Sequence, residues 1–307
     1  MLFGSAKKRS VLGVDIGSRA TKLVQFKFSG KGGPEFEVCE LLNTGFTDES
    51  FSSSLQAYLT DAKLNNSLAA VSFEDDSLII RKFELPKMPD EELIEAIRWN
   101  LRDHVDEDLS LYTVTFSEID IKRNEEDTLR HYLAYAVKRQ AVADFKLRME
   151  QLGLAPFMVE PRDVTLASAL DRCFPDEEHY HAGVDIGYHS SRFFVVGRRS
   201  FSFTRYLPII CYKNYEDNAD EFRKKLAIEI QKSIDTFQVN FQMEPIQSIH
   251  LCGAGALVPE LTDYLQKNLG IETGLLNPFT SIQGVENFPE MKPELFAQAV
   301  SLAFLEP

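Results

Sequence analysis

The chain of 307 residues contains no run of about 18 apolar residues, the length a helix needs to cross a bilayer. Its start also lacks the basic, apolar and small-residue order of a secretory leader. Basic residues do not gather anywhere beyond Lys7-Lys8-Arg9, and a net charge of −14 repels phosphate backbones, so nucleic acid is not an expected partner. The opening MLFGSAKKRS could touch an anionic membrane surface but is too short and polar to anchor there, and it reads as a frayed terminus. Cys39, Cys173, Cys211 and Cys252 show neither metal-ligand nor redox spacing, which points to a reducing, cytoplasmic protein. His179 and His181 form a His-x-His, but with no third ligand nearby the pair reads as a solvated loop. Linkers and low-complexity segments are missing too, and Ser29–Pro34 reads as a hairpin turn.

The chain is rich in core-forming residues. Hydrophobic residues make up 44%, 23 of them Phe, enough for two buried cores, and the length suggests two domains. The pentapeptide Gly-Val-Asp-Ile-Gly occurs twice, in VLGVDIGSRATKLVQFKF from Val11 and in HAGVDIGYHSSRFFVVGRR from His181. Each copy reads as an apolar strand ending in Asp, a Gly-containing turn with small hydroxyl residues, and an alternating second strand. Such a turn offers backbone N–H groups and hydroxyls to an anion, and its Asp can face a hydrated divalent cation. A single copy would read as a permissive turn; two copies half a chain apart read as a clamp on nucleotide phosphates.

Around the repeats the periodicity predicts an extended segment at Phe36–Leu42 and a helix near Phe51–Lys63 on Leu55, Tyr58, Leu59 and Ala62. Strands are expected at Leu68–Phe73 and Leu78–Glu84. A long helix from about Asp220 to Gln242 carries Leu226, Ile230, Ile234, Phe237 and Phe241 on one stripe. Between the repeats, Glu84–Ile121 reads as strand, Pro-punctuated turn, helix and strand. A further strand near Arg130–Val137 and a helix from Gln140 to Leu152 complete a small αβ module.

The two hairpins resemble those of the actin and sugar-kinase superfamily, and the inserted module is similar to that of the cell-division protein FtsA and, more closely, of the type IV pilus assembly protein PilM. Four phrases carry the PilM resemblance: Leu85-Pro-Lys-Met-Pro leading to Glu95-Ala-Ile-Arg-Trp99, Val159-Glu160-Pro161, Ile230 to Phe237, and Phe296 to Ala303. The resemblance implies an actin-like α/β fold of two domains. Residues 1–180 would form the first, with the module at about 85–153, and residues 181–307 the second. It also implies a cytoplasmic scaffold peripheral to the inner membrane, binding the N-terminal tail of a PilN-like membrane protein beside the module. Self-association is left open, as is a related secretion or gliding machine.

Motif by motif, the resemblance places Asp15, Gly17, Ser18, Thr21 and Lys22 on one phosphate hairpin and Asp185, Gly187, Ser190 and Ser191 on the other, with ATP and Mg²⁺ between. Lys22 reads equally as a surface charge. Gly253 and Gly255, in Leu251-Cys-Gly-Ala-Gly-Ala-Leu257 before a helix near Pro259–Leu269, fall on an adenosine motif whose glycine run Ala254 interrupts. Only PIICYKNYEDNA connects strand to long helix where relatives insert the adenine-covering subdomain. Nucleotide binding is therefore expected to be weakened or lost and catalysis more so; an active ATPase or small-molecule kinase is the alternative. Glu160 could orient a water in the cleft but reads better as a cap of the following helix. Trp99, the sole tryptophan, lies opposite the Leu93, Ile94, Ile97 and Leu101 stripe. It could meet a second protein layer or a partner. With Lys87 and Arg98 it marks the expected tail groove, between the first sheet and the module near Leu111–Phe116.

Overall fold

The computed structural model describes residues 10–28, 34–119, 128–175, 178–197, 200–209, 218–241, 244–282 and 290–306. The basic start, the turn at 29–33, Cys211 and most of the connection expected to replace the adenine cover lie outside the described residues.

The first half runs β1 (Leu12–Ile16), β2 (Thr21–Phe28), β3 (Pro34–Leu42), α1 (Phe51–Asp61) and β4 (Leu68–Phe73). The middle adds β5 (Ile79–Pro86), α2 (Asp90–Leu101), β6 (Tyr112–Ile119), β7 (Leu129–Lys138) and α3 (Arg139–Gln151). The chain returns through β8 (Ala155–Pro161) and α4 (Arg162–Cys173). The second half comprises β9 (Tyr180–Ile186), β10 (Ser191–Gly197), β11 (Ser200–Leu207), α5 (Ala219–Asn240), β12 (Ile246–Cys252), α6 (Leu261–Leu269), β13 (Glu272–Leu275) and α7 (Ala297–Ala303).

Two five-stranded sheets repeat one plan, β3-β2-β1-β4-β8 and β11-β10-β9-β12-β13. In each, the first three strands form an antiparallel meander and the last two join the central strand in parallel. Central strands are buried on both faces and so read as nearly continuous apolar runs. Leu12, Val14 and Ile16 pack with Leu55 and Leu59 of α1, while Ala182, Val184 and Ile186 pack with Leu226, Ile230 and Phe237 of α5. The alternate face explains the leading glycine of the first repeat. A Cβ on Gly13 would run into the α7 backbone, 2.6 Å from the amide nitrogen of Ala303. Helix α7 therefore lies flat on the first sheet, with Val24, Phe26, Ala299 and Ala303 in one cluster, although it belongs to the end of the chain. Conversely α4 packs Leu166, Ala169 and Leu170 with Phe194 and Val196 of the second sheet. The crossing of these two helices joins the halves.

A three-stranded sheet, β5-β7-β6, forms the module. Successive strand residues face opposite ways. Tyr132, Ala134 and Ala136 of β7 meet Leu93, Ile97 and Leu101 of α2, whereas Leu133 and Tyr135 turn towards the core of the second half. The module is thus covered by its own helix on one side and rests on the second half with the other. Helix α3, expected to complete the module, lies elsewhere: Met149 packs with Leu55 and Leu59 on the first sheet. Its apolar residues alone could not choose between the two surfaces.

The expected solvated His-x-His is corrected at its second residue. His181 is buried, and its Nδ1 lies 2.8 Å from Ser248 Oγ, which in turn lies 2.8 Å from His250 Nε2. Phe174 stacks over His250 with centroids 3.9 Å apart. Burial, with His181 as a second contribution, pushes the His250 pKa down to about 4. The unfolded imidazole takes up its proton near pH 6.5, the folded one only near 4, so protons favour the unfolded chain between those values. His250 should contribute fully above about pH 6.5 and progressively less as pH falls towards 4. Melting temperature measured across that range should fall less steeply on acidification in His250→Gln than in wild type.

Candidate functional site

The two β hairpins face each other across a cleft of about 310 Å³. Their turns close identically, Gly17 N–H to the Ala20 carbonyl and Gly187 N–H to the Ser190 carbonyl, both at 3.0 Å. The first turn is held further by Phe46 and Thr47, whose N–H groups donate to the carbonyls of Gly17 and Ser18. Across the gap the Arg19 guanidinium lies 5.0 Å from the centroid of the Tyr188 ring. Asp15, Gly17, Ser18, Lys22, Asp185, Gly187, Ser190 and Gly253 all line the cleft. The other assigned residues are placed differently. Thr21 and Ser191 are buried, their hydroxyls donating to the carbonyls of Thr44 and Ile209. Gly255 is buried in the short 3₁₀ turn Ala254–Leu257, while Ala254 borders the cleft. Gly253 itself has φ +80°, and a Cβ there would lie 2.8 Å from the carbonyl oxygen of Ile186, so only glycine lets this turn press against the second hairpin.

Both aspartates already have cationic partners. Lys22 sits opposite Asp15 in the β1–β2 register and its Nζ lies 3.1 Å from Asp15 Oδ2, while Ser72 donates to Oδ1 at 3.2 Å. Lys22 is thus a cleft residue and not a surface charge. Asp185 is held by Arg162 from the first turn of α4, with Nη2 at 2.6 Å and Nε at 3.1 Å from Oδ2. Burial opposes the Arg162 charge, but the carboxylates of Asp185, Asp15 and Glu74 outweigh it and hold the guanidinium above its ordinary pKa. Glu74, just past β4, also pairs with Arg192 Nη2 at 2.5 Å, and Arg192 Nε lies 3.5 Å from Asp163. The chain of charges Asp185–Arg162–Glu74–Arg192–Asp163 therefore ties the first sheet, α4 and the second sheet together. Burial and the neighbouring Asp185 raise the Cys252 thiol well above its usual range, which leaves it an inert wall. Glu294, 6% exposed, is the remaining carboxylate on the cleft wall and has no ion-pair partner among the described residues.

A second concavity of about 370 Å³ lies between the module and the body, lined by Thr115, Ser117, Tyr135, Glu160, Val164 and Phe201 among others. Glu160 makes no cap: the N-cap of α4 is Pro161, with no side-chain hydrogen bond. It also stays out of the cleft; it faces this groove, where burial raises its pKa. Trp99 stands elsewhere, 68% exposed on α2, with the Arg102 guanidinium 4.6 Å from its ring centroid. Trp99 and Arg98 line a shallow hollow of about 570 Å³. Since α2 covers the face of the module sheet opposite to Thr115, Ser117 and Tyr135, the structure does not bring Trp99 to the groove between module and body. Lys87 is exposed and lines neither.

Residues 212–304 match the family described as type IV pilus assembly protein PilM. Over those residues the chain is similar to PilM. Among solved structures it resembles a PilM-PilN type IV pilus biogenesis complex, with TM-score 0.78 and 20% identity over 95% of this chain and 97% of that one. It resembles the cytoplasmic domain of EpsL, an inner-membrane component of the Vibrio cholerae type II secretion system, with TM-score 0.51 and 12% identity over 96% and 94%. A Bacteroides thetaiotaomicron protein with an actin-like ATPase fold matches with TM-score 0.50 and 10% identity over 98% of both chains. None of the curated proteins matches. At these identities the structural likeness establishes the fold, which is actin-like. No described helix is long and apolar enough to cross a membrane.

Arg162, Glu74 and Arg192 form an ion-pair network at the cleft that sequence reasoning missed. Arg192 had a signal: it follows Asp185 by the same seven residues that separate Lys22 from Asp15. Arg162 had none, because it reaches the cleft only once α4 crosses to the second sheet. Removing one partner of a buried pair leaves the other charge uncompensated, at a cost of about 3–5 kcal/mol. Arg162→Met should accordingly lower unfolding stability in urea by about that amount, and the double variant Arg162→Met with Asp185→Leu should recover part of the loss.

Proposed function

We propose that the chain is a cytoplasmic actin-like adaptor of a type IV pilus machine. It would bind the short N-terminal tail of a PilN-like membrane protein in the groove between module and body, and be peripheral to the inner membrane through that partner. The observation that carries the reading is the groove's position between two sheet edges. β6 ends the order β5-β7-β6 and β11 begins β11-β10-β9-β12-β13, so each offers an unpaired backbone edge among the described residues. An extended tail can pair with such an edge while its side chains fill the hollow formed by Tyr135, Val164 and Phe201. Glu160 adds selectivity. It is half-buried with no hydrogen-bond or ion-pair partner among the described residues, and the charge of a basic group on the tail would offset the desolvation that raises its pKa. Ordering a flexible tail offsets much of the contact energy, so binding is modest.

In this reading the cleft keeps nucleotide as a weak structural ligand or not at all. The alternative, an active ATPase or kinase, has one observation in its favour, Glu294 on the cleft wall, which has no ion-pair partner among the described residues. Steady phosphate release abolished by Glu294→Gln would mark the enzyme. The adaptor is tested by titrating the synthetic N-terminal tail of a PilN-like protein from the same organism into the full chain by calorimetry. Glu160→Gln should weaken binding by about tenfold, the scale of one charge-assisted hydrogen bond, while Trp99→Ala leaves it unchanged. If Glu160→Gln has no effect and the tail quenches Trp99, the tail binds the outer face of α2 and the groove assignment is wrong.

A further inference from the structure

A cleft that takes a magnesium nucleotide through two aspartates must leave their oxygens free for the metal's water shell. Here those oxygens are engaged. Asp15 accepts from Lys22 and Ser72, one on each oxygen. On Asp185, Oδ2 accepts twice from Arg162, and Oδ1 faces the Cys252 thiol at 3.9 Å. Each aspartate side chain is 4% exposed. Among the described residues no three of His, Cys, Asp and Glu are grouped to hold a metal ion. The residues present therefore do not fit the Mg²⁺ that the fold implies.

We propose that Lys22 and Arg162 take the place of the divalent cation, so that this cleft binds a polyphosphate chain as its metal-free anion. Both side chains line the cleft, each 16% exposed, one from the first hairpin and one from α4 beside the second. Both have donors to spare. The ammonium of Lys22 carries three protons and uses one on Asp15. The five guanidinium N–H groups of Arg162 are only partly used by Asp185 and Glu74. Each can thus donate to a phosphate oxygen without releasing its aspartate, and the two hairpin turns supply backbone N–H groups between them. The carboxylates hold the cations in position, a role opposite to facing a metal. Because both aspartates are already held by cations, an added Mg²⁺ finds neither of them free and gains no attraction from them.

This inference rests on the phosphate-cleft reading and is independent of tail binding. The test is isothermal titration of the full chain with ATP, once with Mg²⁺ and once with EDTA, alongside the tail titration as a check of an intact fold. Wild type should bind ATP at least as tightly in EDTA as in Mg²⁺. Arg162→Gln should bind at least tenfold more weakly in EDTA and recover when Mg²⁺ is added, because Asp185 is then free to meet the metal's waters. Should Arg162→Gln fail to fold, Lys22→Gln makes the same test at Asp15. Wild-type affinity at least tenfold lower in EDTA than in Mg²⁺ overturns the proposal, as does no ATP binding in either condition. Variants that stay as metal-independent as wild type overturn it too. Loss of ATP binding with tail binding intact would remove this inference and leave the adaptor standing.

Discussion

Arg162 stands where the two sheets approach one another, with its guanidinium on Asp185 and within 3.4 Å of Glu74. A buried guanidinium persists only if carboxylates face it on more than one side, and here they come from different sheets. That requirement fixes the start of α4 relative to both hairpins. It brings Glu74 up to Arg192, fills the base of the cleft with ion pairs, and orients the helix that crosses onto the second sheet. Both aspartates of the cleft are consequently paired with cations. On the proposed reading, those same cations would face a bound anion.

The module gains its position from a different constraint. Its three strands alternate, and both faces are substantially apolar, so the sheet must be covered twice. Helix α2 covers Ala134 and Ala136, and the second half covers Leu133 and Ile119. The seam left at the edge of that second contact is the groove beside β6 and β11. The groove and the cleft are separate surfaces joined through α4: Arg162 lines the cleft while Val164, two residues on, lines the groove.

What the sequence made legible was local. The repeated pentapeptide placed both hairpins, the stripe from Leu226 to Phe241 predicted α5 within two residues at either end, and Leu68–Phe73 appears as expected. Lys22 was ambiguous because nothing in a strand's alternation says whether its outer face meets solvent or a second domain; the facing half decided it. Long-range consequences were not readable. Arg162 carries no sequence signal of its own, α3 has an apolar face that fits more than one surface, and Glu160 sat where a cap was plausible until the crossing of α4 turned it towards the groove. Trp99 is exposed for a reason the heptad-like stripe did contain: Leu93, Ile97 and Leu101 bury the other side of α2.

Hydrogen exchange of the full chain, with and without the synthetic PilN-like tail, tests the central claim most directly, since edge pairing protects backbone amides that are otherwise open to solvent. The account predicts that saturating tail slows exchange in Tyr112–Ile119, in Ser200–Leu207 or in both, and leaves the Gly17 and Gly187 turns unchanged. Protection confined to Asp90–Leu101, or to the two hairpin turns, would contradict it.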